Sequence, residues 1–145
     1  MHKETNTDSL AEDIEKLADE HFRSSWNGSP KRANKAYKKI VGIFQKIEDD
    51  QKTATELTSR LLNKEAPISR HWGMVLAFAY GVNVERAYAQ MTKELANKDS
   101  ENSEAGRIAL DAEMLMKNIK EHGGVVLYEG QQRVNVSFLI NKMLQ

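Results

Sequence analysis

Four histidines stand at His2, His21, His71 and His122, and no two of them fall at metal-ligand spacing on one helix. No HExxH run occurs, and the absence of cysteine removes thiolate chemistry, disulfides and any zinc site built on Cys. His21 lies on an apolar stripe and reads as a hydrogen-bonded residue at the edge of the core. His71, beside Trp72 in the first turn of a helix, reads as a packing or capping residue. Carboxylate pairs occur at Glu12 with Asp13, Asp49 with Asp50 and Asp111 with Glu113, and such pairs are ordinarily solvated helix faces. Gly123-Gly124 and Gly130 match neither the dinucleotide nor the nucleoside-triphosphate loop pattern, and no GxSxG is present. The expectation is a protein with no catalytic, cofactor-binding or metal-binding residues, and hence no enzyme.

Residues suited to recognition are easier to find. Glu12, Glu15 and Asp19 recur along one side of the first helical segment, an outward acidic row able to enter a basic cleft by imitating phosphates. Farther along, Glu104, Arg107, Asp111, Met114 and Asn118 share the face opposite an apolar stripe, and an exposed Met among polar residues suits a contact surface. The blander reading is that Met114 touches a neighbouring helix. Near the end of the chain, Tyr128, Phe138 and Leu139 become partner contacts if the terminal arm is exposed. Glu12, Glu15, Asp19, Glu104, Asp111, Met114, Tyr128 and Phe138 are therefore the candidate partner-binding residues.

The elements that position these residues follow from periodicity and punctuation. Leu10, Ile14, Leu17, Ala18, His21 and Phe22 predict a helix over 9–24, with Ser9 and Glu12 at capping-box spacing. After Asn27-Gly28-Ser29-Pro30 a second helix is predicted over 30–48, and Thr53 with Glu56 opens a short third that ends near Asn63. Pro67 starts a fourth, apolar on nearly all sides from Trp72 to Tyr80 and so the most enclosed; Gly81 stops it. Asn83 is positioned to cap a fifth, and a sixth covers about 104–121 before Gly123-Gly124. Val125–Tyr128 and Val134–Val136, separated by Glu129-Gly130-Gln131, suggest a short β-hairpin, and 138–144 a final helix or packed arm. Helices of this length joined by short links stack as a solenoid or collapse as a bundle.

At 145 residues the chain is one domain's worth, with an acidic N-terminal helix (9–24), a helical core (30–121) and a C-terminal arm (125–145). Its 40% hydrophobic and 29% charged residues fit an ordinary folding chain. The 21 basic and 21 acidic side chains cancel, which disfavours a general nucleic-acid binder. The distribution is uneven: seven acids against Lys3 and Lys16 in 1–20, then six bases and no acid in 21–40. Two adjacent helices attracting along their rims is the plain explanation, and an electrostatic docking surface the sharper one. With a polar N-terminus and no apolar run near the roughly 20 residues needed to cross a bilayer, a cytoplasmic location is expected.

Lys31-Arg32-Ala33-Asn34-Lys35-Ala36-Tyr37-Lys38-Lys39-Ile40, Leu61-Leu62, Ile68-Ser69-Arg70-His71-Trp72-Gly73 and Ala109-Leu110-Asp111-Ala112-Glu113-Met114 together resemble a bacterial family of small helical proteins known only as a domain of unknown function. The likeness spans about Pro30 to Lys120, and the family itself resembles HEAT-like helical repeats. It implies an all-α, HEAT-like repeat of six to eight helices, and an immunity protein of a contact-dependent growth inhibition or polymorphic toxin system. Such a protein, a monomer alone, binds the C-terminal domain of its cognate toxin one to one and neutralises it by steric and electrostatic block, with a nuclease as the expected toxin. It requires no cofactor, nucleic acid or membrane. The acidic first helix and the tail from Val125 lie outside the resemblance. Two alternatives remain: an adaptor or regulator of an endogenous protein, and nucleic-acid binding through Arg23, Lys31, Arg32, Lys35, Lys38 and Lys39.

Overall fold

The run from Trp72 to Ala79 buries every residue, so any structure that satisfies this sequence has to wrap other elements around that segment. A computed structural model shows how this is done; it describes residues 6–98 and 103–143. The order is α1 (Thr7–Trp26), α2 (Pro30–Lys46), α3 (Gln51–Leu62), α4 (Pro67–Tyr80), α5 (Val84–Leu95), α6 (Ser103–His122) and α7 (Val136–Met143). The protein is all-α, and no strand occurs among the described residues. α4 lies at the centre, against α1, α3, α5 and α6, while α2 packs chiefly on α1 and α7 on α5 and α6. One continuous core runs through these contacts, from Ile14, Ile40 and Phe44 through Leu57, Leu76 and Phe78 to Ile108, Ile119 and Val136.

Close packing sets two local features. At Gly73 a Cβ would lie 3.0 Å from the Leu61 Cβ and 3.1 Å from the Leu62 amide nitrogen, so the small residue lets α3 and α4 approach. The Tyr80 hydroxyl, at the far end of α4, donates to the Phe44 carbonyl at 2.5 Å and closes the C-terminal turn of α2 over the core.

Both predicted capping boxes start one turn too late. Asn6 caps α1 by accepting from the Ser9 amide, and Asp50 caps α3 by accepting from the Thr53 amide and hydroxyl at 3.1 and 2.6 Å. Those two bonds hold the Asp50 carboxyl below its ordinary pKa. Asn83 occupies the N-cap position of α5, as expected, but its side chain makes no cap bond; its amide donates instead to the Thr55 carbonyl.

The β-hairpin expected over 125–136 does not form. Gln131 does much of what a partner strand would have done: its side-chain oxygen accepts from the Leu127 amide, and its nitrogen donates to the Val125 and Ala79 carbonyls. The returning chain crosses so close to Gly124 that a Cβ there would collide with the Val134 carbonyl. Val136 and Ser137 then both bond the Gly123 carbonyl, starting α7 two residues before the expected position. The Leu127, Val136 and Ser137 amides and the Val125 carbonyl thus find partners without a ladder.

Within the described residues, no helix is long and apolar enough to cross a membrane.

Candidate protein-binding cleft

Between α1, α4, α6 and the segment after α6 lies a cleft of about 330 Å³. α1 supplies His21 and Phe22, α2 Tyr37, α4 Ile68, His71, Trp72 and Val75, and α6 Arg107, Asp111, Met114 and Leu115, with Val125 to Leu127 closing one end. Trp72 organises the floor. Its indole meets the His21 ring edge-on at 5.7 Å between centroids and 84°, and Tyr37, Phe44 and His71 lie at 5.9, 6.3 and 6.1 Å. The His71 Nδ1 and Trp72 Nε1–H are buried with no hydrogen-bond partner in the protein, a cost of roughly 1–3 kcal/mol for each such group.

The rim is different in kind. Met114, 60% exposed, and Val126, 40% exposed, line the cleft, and Trp26, 48% exposed, lies in the adjoining pocket. The Arg107 guanidinium lies 5.7 Å from the centre of the Trp26 ring and bridges the rim to the cleft wall.

Electrostatics keep the floor neutral. Burial pushes the His71 imidazole down to about 4, and the nearby His21 adds to the shift. His21 is lowered as well, first by burial and then by Arg107. Asp111 is raised by burial, with Arg107 opposing the shift. At neutral pH both imidazoles are uncharged, and an entering apolar group meets aromatic faces with one cation and one carboxylate at the edge.

The eight candidate partner residues are not gathered in one place. Asp111 and Met114 line the cleft, and Met114 is open to solvent instead of covered by a neighbouring helix. Asp19 and Glu104 line a smaller adjoining pocket with Phe22, Arg23 and Trp26. Glu12 lies in a separate groove with Asp8, Arg60 and Asn63. The acidic row is not uniformly outward: Glu15 is half-buried, accepts from the Ser69 hydroxyl at 3.3 Å and sits 3.8 Å from the Lys64 ammonium, while Asp19 is held by Arg23 at 2.9 Å. Phe138 is exposed on α7, away from the cleft, and the half-buried Tyr128 has its hydroxyl buried without a partner.

His21, Trp72 and Tyr37 are missed as cleft residues because their spacing marks them as core, and they are core on one side. The signal available in the sequence was three large polar-tipped rings, which bury a body and present an edge. Trp26, just ahead of Asn27-Gly28, belonged to no stripe, and that isolation is the mark of an exposed aromatic.

No family model, curated protein or solved structure matches the chain. Among the described residues, no group of three His, Asp or Glu side chains is placed to hold a metal ion.

Proposed function

We propose that this chain is a non-catalytic binding protein that receives an apolar side chain of a protein partner in the cleft over Trp72. The observation that carries this reading is the combination of an uncharged aromatic floor with Met114 and Val126 left exposed in its lining. Protein interfaces concentrate their energy in such places, where an anchor enters a pocket and surrounding contacts exclude water. Arg107 and Asp111 at the edge supply a donor and an acceptor that fix the orientation of the incoming chain.

In its finer form the proposal is an immunity protein acting in the cytoplasm, bound one to one to a toxin domain, on a HEAT-like scaffold. What supports the scaffold is that α1 with α2 and α3 with α4 pack as successive pairs, although α5 packs more on α4 than on α6. What supports the role is the sequence resemblance stated above. Because Glu15 and Asp19 are engaged within the protein, obstruction by bulk outweighs imitation of phosphates in this account.

Co-expression with the C-terminal domain of a secreted toxin, sought in the reading frame upstream of this gene, tests it. The expected outcome is restored growth and a 1:1 complex on size exclusion, both lost with Met114→Glu at an unchanged melting temperature. A complex that tolerates Met114→Glu and Val126→Asp together would remove the cleft from the account.

A further inference from the structure

The sequence offered a plain explanation for its charge asymmetry, namely that acidic α1 and basic α2 pair along their rims. They pack together, but not through charge. Asp8 of α1 reaches Arg60 of α3 at 2.6 Å, Glu15 turns to Lys64 and Ser69, and Asp19 to Arg23 of its own helix. Among the described residues, Lys31, Arg32, Lys35, Lys38, Lys39 and Lys46 of α2 make no ion pair and no side-chain hydrogen bond, and all six are exposed.

At 100° per residue these six cations fall in a wedge of about 120°, along a helix about 25 Å long. No acid interrupts it. Along the edge of the wedge, at the seam with α1, runs a groove of about 510 Å³ whose apolar members are the half-buried Leu17 and Ile43. Lys16, Lys39, Lys46 and the single carboxylate of Asp13 flank it, and Gly42 forms part of its wall.

Gly42 is the second, independent observation. It sits inside α2, where glycine costs about 1 kcal/mol relative to alanine. Nothing lies within 4 Å of the position a Cβ would take, so no contact inside the protein requires its absence. Gly73, by contrast, is held against Leu61 and Leu62. A helical glycine with open space above it, in the middle of a cationic wedge and beside an apolar slot, leaves room for a partner to approach the helix backbone from outside.

We propose that the α1–α2 seam is a second docking surface, for an acidic amphipathic protein segment that sets an apolar side chain against Leu17 and Ile43, passes over Gly42, and lays its carboxylates along the lysines. A protein occupant is favoured over single-stranded nucleic acid because the wedge carries no aromatic side chain for base stacking, Tyr37 and Phe44 both turning inward to Trp72. It is favoured over a duplex because the apolar Leu17–Ile43 slot beside the Asp13 carboxylate does not suit a phosphate backbone. This inference goes beyond the cleft and does not rest on it.

The test titrates the full chain, labelled with nitrogen-15, with three probes: a short helical peptide of glutamates with leucines at i, i+3 and i+4 spacing, an equally charged polyglutamate, and a poly(dT) oligonucleotide. The leucine-bearing peptide should move the Leu17, Gly42 and Ile43 amides, bind about tenfold tighter than polyglutamate, and weaken from about 0.05 to about 0.5 M salt. Gly42→Leu should lower that affinity about tenfold while the melting temperature stays equal or rises, because leucine is the better helix former. Lys39→Glu with Lys46→Glu should abolish binding, and Met114→Glu should leave it untouched, which separates this surface from the cleft. The proposal is overturned if the leucine-bearing peptide leaves those amides unmoved, if polyglutamate binds equally well, if poly(dT) binds more tightly, or if Gly42→Leu binds like the parent.

Discussion

α1 and α2 are near mirror images in charge and lie side by side, yet their charges have opposite fates. Asp8, Glu15 and Asp19 of α1 are engaged by Arg60, by Lys64 and Ser69, and by Arg23, whereas among the described residues the cations of α2 make no ion pair. Proximity of opposite charges is thus not enough to pair them. The two helices pack together, with Ala11, Ile14 and Ala18 of α1 and Ile40 and Phe44 of α2 buried in one core, and burying those apolar stripes sets the rotation of each helix before any charge is placed. Once the stripe is buried, the charged faces point wherever geometry leaves them. Composition reports how much charge a helix carries; packing decides which charges are engaged.

The contrast is sharpest where an ion pair is enclosed. Glu94, with 4% of its side chain exposed, accepts from Arg70 at 3.3 Å and from Gln90 at 2.7 Å, and Arg70 also donates to the Lys64 and Glu65 carbonyls. Arg70→Ala leaves that carboxylate buried without its cation and should cost about 3–5 kcal/mol in urea unfolding. Arg70→Met with Glu94→Leu should recover most of the loss, since an apolar pair of similar volume has no charge to desolvate. If the single substitution costs no more than an exposed ion pair, the division between engaged and free charges collapses.

A smaller effect comes from the imidazoles on the cleft floor. His71 is held at about 4 in the folded protein against 6.5 for a free imidazole, and His21 is shifted in the same direction. Between those values the unfolded chain binds the proton and the folded protein does not. Stability is therefore complete above pH 6.5 and falls as the pH drops from 6.5 through about 4, by on the order of 3 kcal/mol for His71. The groups around the pair are Arg107, Asp111, Tyr37 and the Trp72 ring. His71→Phe should flatten that part of the pH–stability curve, read by thermal melts; an unchanged slope would show that His71 binds its proton equally well in the folded and unfolded chain.

The smallest effect belongs to α2. Lys35→Glu with Lys38→Glu should change stability by less than about 0.5 kcal/mol, because neither lysine has a partner to lose. A larger loss would show that the positive wedge supports the fold and is not free to bind.

Much of the architecture was legible because it depends on local pattern. Pro67, Gly81, Pro30 and the all-round apolar run of 72–80 each speak for one place in the chain, and helices begin or end there. The caps were misread because Asn6 and Asp50 precede the stripes, while Ser9 and Thr53 offered the same spacing one turn later. The hairpin was misread because β-rich composition at Val125 and Val134 cannot reveal that Gln131 will bond three backbone groups, one of them on α4. For the cleft, Asp111 and Met114 were visible on the outer face of α6. Trp72, Tyr37 and His21 come from three different helices, and nothing in their spacing says that they converge.

The central claim is that the cleft over Trp72 is where a protein partner seats an apolar anchor. Calorimetric titration of the partner domain into the chain carrying Met114→Glu, beside the parent, tests it most directly. The account predicts at least a tenfold loss of affinity, about 1.4 kcal/mol or more, with identical thermal melts; equal affinities would place the contact elsewhere on the molecule.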